Sequence, residues 1–235
     1  MPQANPNKKL NITVGGKIYA RLPIKTHVFV KGDNLAEAVK KYVSPYWQTG
    51  DIIFISEKIV AITQGRAFPI KEIHPSRLAK FLVKFVYKSP YGIGLGSSWT
   101  MELAIREIGW LRILFAALMA AFTKPLGIRG VFYLIAGRKV AAIDGPCSYT
   151  LPPYNQYAKM GPQNPDKVAR EIKKATGREA VIIDANDLGV NVLGCSSRWI
   201  DKKWAVAVFK DNPLGQTDEQ TPICLVREVK AVGDV

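Results

Sequence analysis

The residues best suited to chemistry are carboxylates set in small turns. Asp144 lies in Ile143-Asp144-Gly145 and Asp184 in Ile183-Asp184-Ala185. The pair Asp218-Glu219 lies in Gly215-Gln216-Thr217-Asp218-Glu219, just before an apolar run. Each is expected to end or precede a strand, a rigid arm that can carry a side chain from a distant segment into one site. Mg²⁺ and Mn²⁺ take one or two carboxylates and complete their shell with substrate phosphates and water. Acidic turns in a basic chain therefore point to a divalent ion beside a nucleotide phosphate, with Asp144 and Asp184 as ligands and Asp218 and Glu219 in support. Taken singly, each aspartate also fits a plainer role as turn chemistry after a strand. Ser56-Glu57-Lys58 and Gln64-Gly65-Arg66 offer hydroxyl, ammonium and guanidinium groups to a phosphate, or else form a solvated surface.

Other chemistries find little support. The stretch Asp184-Ala185-Asn186-Asp187-Leu188-Gly189 begins like a calcium loop but has no Glu at the twelfth place. Gly92, Gly94 and Gly96 alternate without the Gly-Lys-Ser/Thr of a P-loop or a GxGxxG pattern, and read as a loop over a ligand. No Gly-x-Ser-x-Gly elbow is present, and two histidines are too few for a triad. Cys147, Cys195 and Cys224 form no CxxC pair, which argues against structural zinc. An odd cysteine count with no apolar leader predicts a reducing, cytoplasmic setting.

The elements that must position these residues follow from periodicity and punctuation. Strands are expected at residues 17–21, 27–30, 52–55, 131–136, 140–143, 180–183, 190–193, 204–209 and 223–229. Helices are expected at 35–43 behind Asp33 or Asn34, at 76–87 with a basic face of Arg77, Lys80, Lys84 and Lys88, and at 101–122 with a kink at Gly109. A further helix should start at Pro165 behind Asn164 and stop at Gly177. The sum is an α+β fold of mostly antiparallel mixed sheets with helices: one domain over 1–235, two-lobed, with a lobe boundary near 145–165.

Composition bounds the partners. The 235 residues are 48% hydrophobic, enough for a core, and carry 33 Lys and Arg against 19 Asp and Glu, a net charge of +14. Such a surface favours a nucleotide, a nucleic acid or an anionic membrane face. Residues 110–122 are apolar except for Arg112. At about 13 residues the run is short of the roughly 20 that cross a bilayer. A buried helix is expected. The alternative is a helix lying in a membrane interface, since Arg106, Arg112, Lys124 and Arg129 flank it.

The ordered set of short motifs resembles the coenzyme F420-0:L-glutamate ligase family, GTP-dependent γ-glutamyl ligases. The matching pieces are Leu22-Pro23-Ile24, Gly32-Asp33-Asn34-Leu35, Gly50-Asp51-Ile52, Ser56-Glu57-Lys58-Ile59-Val60 with Gln64-Gly65-Arg66, Ile143-Asp144, Ile183-Asp184, and Gly215-Gln216-Thr217-Asp218-Glu219. The resemblance implies a two-lobed α+β dimer in which GTP activates a carboxylate as an acyl phosphate and a glutamate amine attacks it. It places Mg²⁺ or Mn²⁺ on Asp144 and Asp184. It sets the Leu22-Pro23 turn, Ser56, and the loop of Gln216, Thr217, Asp218 and Glu219 by the nucleotide phosphates.

This chain departs from the family pattern at three places. Ile62 stands where the family has Lys, Ala185 where it has a hydroxyl, and Gly145-Pro146-Cys147 where it has an acidic, Asn-bearing stretch. Asn186 and Asp187 are the candidates to replace the hydroxyl at the metal, and Lys58 to supply the missing charge at the nucleotide. The rival to a ligase is a non-catalytic basic protein that binds nucleic acid or an anionic membrane surface. Its affinity would fall steeply with salt.

Overall fold

Apolar β-branched runs make the strands of this chain, and capped amphipathic runs make most of its helices. The computed structural model describes residues 2–86, 93–186 and 189–229. The chain runs β1 (Asn11–Val14), β2 (Lys17–Ile24), α1 (Leu35–Val43), β3 (Ile52–Ser56) and α2 (Glu57–Thr63). It continues with β4 (Ala67–Pro69), α3 (Arg77–Leu82), α4 (Ser98–Ile108), α5 (Trp110–Thr123), α6 (Val131–Ala136), α7 (Arg138–Ala141) and β5 (Tyr157–Lys159). It closes with α8 (Pro165–Thr176), β6 (Glu179–Asn186), β7 (Gly189–Cys195), α9 (Lys202–Val208) and β8 (Ile223–Val229).

These elements form two compact units, Met1–Gln64 with Gln163–Val235, and Gly65–Pro162. The first unit is built on a six-stranded sheet in the order β1-β2-β8-β3-β6-β7. Among the described residues only the β3/β6 pair of this sheet is parallel. The fold is α+β and mostly antiparallel, as the periodicity predicts. One face of the sheet packs on α9. Phe54 stacks on Phe209 with ring centroids 4.3 Å apart, and both rings are fully buried among Val181, Ile183, Val208 and Val226. Within this unit the chain leaves and returns side by side: the Gln64 amide donates to the Gln163 carbonyl at 2.9 Å and accepts from its N–H at 2.8 Å.

The second unit is mainly helical, with β4 and β5 paired beside the helices. Its core gathers Met101, Leu103, Ile113, Ala116, Val140, Ile143 and Ala158. Arg66 closes it. Its guanidinium donates to Glu107 at 2.7 Å and to the Gly161 carbonyl at 2.6 Å, and both charged side chains are nearly buried. Arg66, considered above as a phosphate ligand, is thus engaged within its own unit.

Several expected strands are not strands. Residues 27–30 are loop, because His27, Tyr42 and Asp33 satisfy that backbone locally. The His27 N–H donates to the Tyr42 hydroxyl at 3.0 Å, and the Val30 N–H to the Asp33 carboxylate at 2.8 Å. Residues 131–136 and 138–141 are α6 and α7, not a hairpin. A six-residue apolar run cannot be told from a buried helix by periodicity; here Ala136 of α6 and Val140 of α7 are buried on either side of the break at Gly137. Residues 202–208 form α9, capped by Asp201, with Ala205 and Val208 inward. The apolar run after Ser56 is a helix too, α2.

The remaining elements follow expectation more closely. Asn34 caps α1 and accepts from Glu37 N–H at 3.3 Å, and Gly177 ends α8 in the left-handed region. Gly109, at φ 84° and ψ 151°, separates α4 from α5 outright, where a kink was expected. Of the expected helix 76–87, the described residues up to 86 form only a short α3 followed by a 3-10 turn over residues 83–85. Tyr87, Lys88 and Gly92 lie outside the described residues.

Candidate functional site: an acidic loop pinned to the sheet end

β2, β3 and β6 run in one direction and finish at the same end of the sheet, where antiparallel β8 begins. The register makes this explicit: Ile24 faces Ile223, Ile223 faces Ile55, and Ser56 lies beside Ile183. Segments far apart in sequence therefore converge at that end because the strands carrying them are neighbours.

Three hydrogen bonds draw the acidic loop onto this end. The Thr26 N–H, just past β2, donates to the Gln220 carbonyl at 3.1 Å, and the Gln220 side-chain amide donates to the Thr26 carbonyl at 2.6 Å. The Ser56 N–H, at the tip of β3, donates to the Pro222 carbonyl at 2.9 Å. The loop is thus tied at its far end to both β2 and β3. Ser56 also starts α2: its hydroxyl accepts from the Lys58 N–H at 3.3 Å, satisfying one of the helix's first donors.

Buried polar side chains tie the two ends of the loop to each other. The Asn5 amide donates to the Pro213 carbonyl at 2.8 Å and to the Thr221 hydroxyl at 2.7 Å, and that hydroxyl donates to the Leu214 carbonyl at 3.0 Å. The amide of Asn212, fully buried, donates to the Gly215 carbonyl at 2.9 Å. Gly215 has φ 78°, and a Cβ there would run into the Glu219 carboxylate. That carboxylate folds back over Gly215 and accepts from the Thr217 N–H at 2.7 Å. Glu219 therefore closes the loop on itself, whereas Thr217 and Asp218 are exposed at its tip and Gln216 is half-buried beside them.

A buried arginine supports the same loop from below. Arg21, in β2, is 1% exposed and donates through both terminal nitrogens to Asp211, and also to the Val208 and Lys9 carbonyls. Asp211 directly precedes Asn212. Burial pushes the Asp211 carboxyl up, but the Arg21 hydrogen bonds and charge outweigh it and leave it below the ordinary value.

The other expected site residues are placed as follows. Leu22 and Pro23 are buried inside β2, opposite Leu225 and Cys224, and do not form a turn. Pro23 costs the sheet nothing, because its nitrogen faces the β1 side. There the last ladder bond runs from the Arg21 N–H to the Leu10 carbonyl. Lys58 is half-buried in the first turn of α2. Asp184 is half-buried within β6, opposite Asn191, one residue past the Ser56–Ile183 pair. It does not end its strand. Val181 and Ile183 line the core under α9, so alternation sends Asp184 to the other face. Asp144 belongs to the second unit. It follows α7, not a strand, forms an isolated bridge with Lys159, and accepts the Gly145 N–H at 2.8 Å. Gly145 is required there because a Cβ would meet Ile93 at 2.8 Å. Asp187 lies outside the described residues. Among the described residues no three His, Cys, Asp or Glu side chains gather into a metal-holding group.

Sequence reasoning missed Thr26, Gln220, Asn5 and Asn212. Thr26, Gln220 and Asn5 act through partners far away in the chain, for which no local signal exists, whereas Asn212 holds Gly215 three residues on. The left-handed φ of Asn212 (47°) and Gln220 (58°) is visible only in the fold.

An α+β sheet whose strand ends collect a mounted polar loop and a capped helix start has the layout of a small-molecule site on a rigid scaffold. A family model described as F420-0:Gamma-glutamyl ligase matches residues 23–187, well over half of the chain, and the chain belongs to that family of ligases. The match takes in the Ser56 to Arg66 segment, Asp144 and Asp184, and stops short of the acidic loop. Among curated proteins none matches this chain.

Proposed function

We propose that the chain is a GTP-dependent, metal-assisted amide ligase that joins L-glutamate to a carboxylate of the coenzyme F420-0 type. The family membership supports the ligase class. The observation that carries the site is the pinning of residues 215–222 to the ends of β2 and β3 through Thr26, Gln220 and Ser56. It gathers at one strand end the three segments whose resemblance assigns them to the nucleotide: Leu22-Pro23, Ser56 and the Gln216 to Glu219 loop.

In this reading Leu22 and Pro23 form the apolar floor, and Ser56, Lys58, Gln216 and Thr217 bind phosphate oxygens. Asp218, at the exposed loop tip, accepts hydrogen bonds from the nucleotide or its bound waters. The family resemblance assigns Mg²⁺ or Mn²⁺ to Asp144, of the second unit, and Asp184, of the first, which would hold it with Asn186 and Asp187 as supporting ligands. Each is a hard oxygen donor, and one or two such carboxylates with water and phosphate oxygens make an ordinary set for these ions. The ion, when bound, neutralises phosphate charge and orients the transferring group.

The acceptor carboxylate oxygen attacks the γ-phosphorus and GDP leaves. The glutamate amine then attacks the acyl carbon, inorganic phosphate leaves, and the amine proton passes to solvent. A homodimer belongs to the same reading. The test is phosphate release from GTP by the purified chain with Mn²⁺, F420-0 and L-glutamate. Release should need both substrates and fall at least a hundredfold in Asp184→Asn with unfolding unchanged. Release that ignores glutamate, or none with either Mg²⁺ or Mn²⁺, overturns the proposal.

A further inference from the structure

Apart from Arg112 and the terminal Thr123, α5 is apolar all round, the pattern of a helix with nonpolar surroundings on every side. One side has them: Ile113 and Ala116 are fully buried in the core of the second unit. The other side does not. Leu111, Phe115, Leu118 and Phe122 recur at helical spacing and are 65%, 56%, 51% and 73% exposed. The buried helix expected from hydropathy is therefore only half buried. Trp110 stands exposed at its start, and Leu126, Ile128 and Leu134 follow it, also exposed. α6 packs back against α5, and Arg112 donates to the Ile135 carbonyl at 2.9 Å, fastening the two helices as a hairpin.

Charge selects the occupant of this face. From Ile108 to Ile143 there is no acidic residue, while Arg112, Lys124, Arg129, Arg138 and Lys139 are cationic. Lys124 and Arg129 are exposed between α5 and α6. Two copies meeting through this face would bring like charges together around a two-fold axis. A lipid leaflet with anionic headgroups instead accepts the apolar stripe below its surface and the cations at it. The fourteen residues of α5 span about 21 Å, short of a hydrocarbon core of about 30 Å. Among the described residues no helix is long and apolar enough to cross a membrane. α3 and the turn after it repeat the chemistry on a smaller scale, with Phe81 and Phe85 exposed next to Lys80 and Lys84.

We infer that the α5–α6 hairpin is a monotopic docking surface for an anionic lipid membrane, with Leu111, Phe115, Leu118 and Phe122 inserted and Lys124 and Arg129 at the headgroups. The inference is independent of the ligase reading. The test is flotation of the full chain with vesicles of phosphatidylcholine alone or mixed with phosphatidylglycerol. The chain should float with the anionic vesicles, much less with the neutral ones, and less as salt rises. Phe115→Ser/Phe122→Ser should weaken partition roughly a hundredfold, and Lys124→Glu/Arg129→Glu at least tenfold, with thermal unfolding unchanged in both. Absence of flotation, or equal flotation with neutral vesicles, overturns the inference. So does self-association that replaces vesicle binding and disappears in Phe115→Ser/Phe122→Ser, which would assign the face to a second copy.

Discussion

Thr26 and Gln220 grip each other in both directions. The Thr26 N–H donates to the Gln220 carbonyl at 3.1 Å, and the Gln220 amide donates to the Thr26 carbonyl at 2.6 Å. This pair fixes where the acidic loop sits relative to the end of β2. Gln220→Asn keeps a residue that tolerates φ 58° and withdraws the amide by one carbon. Stability should fall by about 1 kcal/mol, the worth of one hydrogen bond. Turnover should fall by about tenfold or more, because small displacements of positioning groups are costly to reaction geometry. Comparing the melting curve with ligase kinetics separates the two effects.

Gly215 and Glu219 exclude a larger residue between them. Gly215→Ala should cost about 1–2 kcal/mol, from the positive φ and from displacing the Glu219 carboxylate. Adding Glu219→Ala should recover part of that loss, because the clash goes and the backbone strain stays. Denaturant unfolding of the two variants checks it. Equal stability of the single and double variants would mean that Glu219 is not closing the loop.

Asp211 ties loop stability to pH. Its carboxyl lies below the ordinary value, because the hydrogen bonds and charge of Arg21 outweigh its burial. A lowered carboxyl contributes stability that is complete above the ordinary carboxylate range and is lost as pH falls through the lowered value. At pH 7 Asp211→Asn should be less stable by about 2 kcal/mol, a discounted figure because the Asp211 side chain is 38% exposed. The difference should shrink below about pH 4. Urea unfolding of both proteins from pH 7 to pH 3 reads it directly.

Phe54 couples the core to the site, lying two residues before Ser56 in β3. Phe54→Ala removes a fully buried ring stacked on Phe209 and should cost about 3–5 kcal/mol. Its circular-dichroism melt should shift far more than that of Gln220→Asn.

Much of the sheet was legible in the sequence. Ile52 to Ile55 is a mostly β-branched run and Ile223 to Val226 an apolar run after turn residues, and they pair as central strands. Asn34, Pro165 and Gly177 mark helix ends through local chemistry. What failed was the short apolar run. Residues 131–136 and 204–209 look alike as strand or helix until tertiary partners decide, and there Ala136, Ala205 and Val208 pack as helices. In the site, the acidic loop stood out by its composition, but its anchoring did not. Asn5 reaches Thr221, and Gln220 reaches Thr26, across almost the whole chain. For residues 110–122 hydropathy leaves a buried and an interfacial helix both open, because it does not distinguish a core from an exposed apolar stripe, and only the fold shows Phe115 and Phe122 exposed.

The central claim is that the strand-end loop binds the nucleotide. Calorimetric titration of GTP in Mn²⁺ into the purified chain measures it most directly. The account predicts saturable heat with wild type, weakened about tenfold or more in Gln220→Asn and abolished in Asp184→Asn, with all three proteins folded. Wild-type heat that is absent for GTP and for ATP, or binding that is unchanged in both variants, would contradict it.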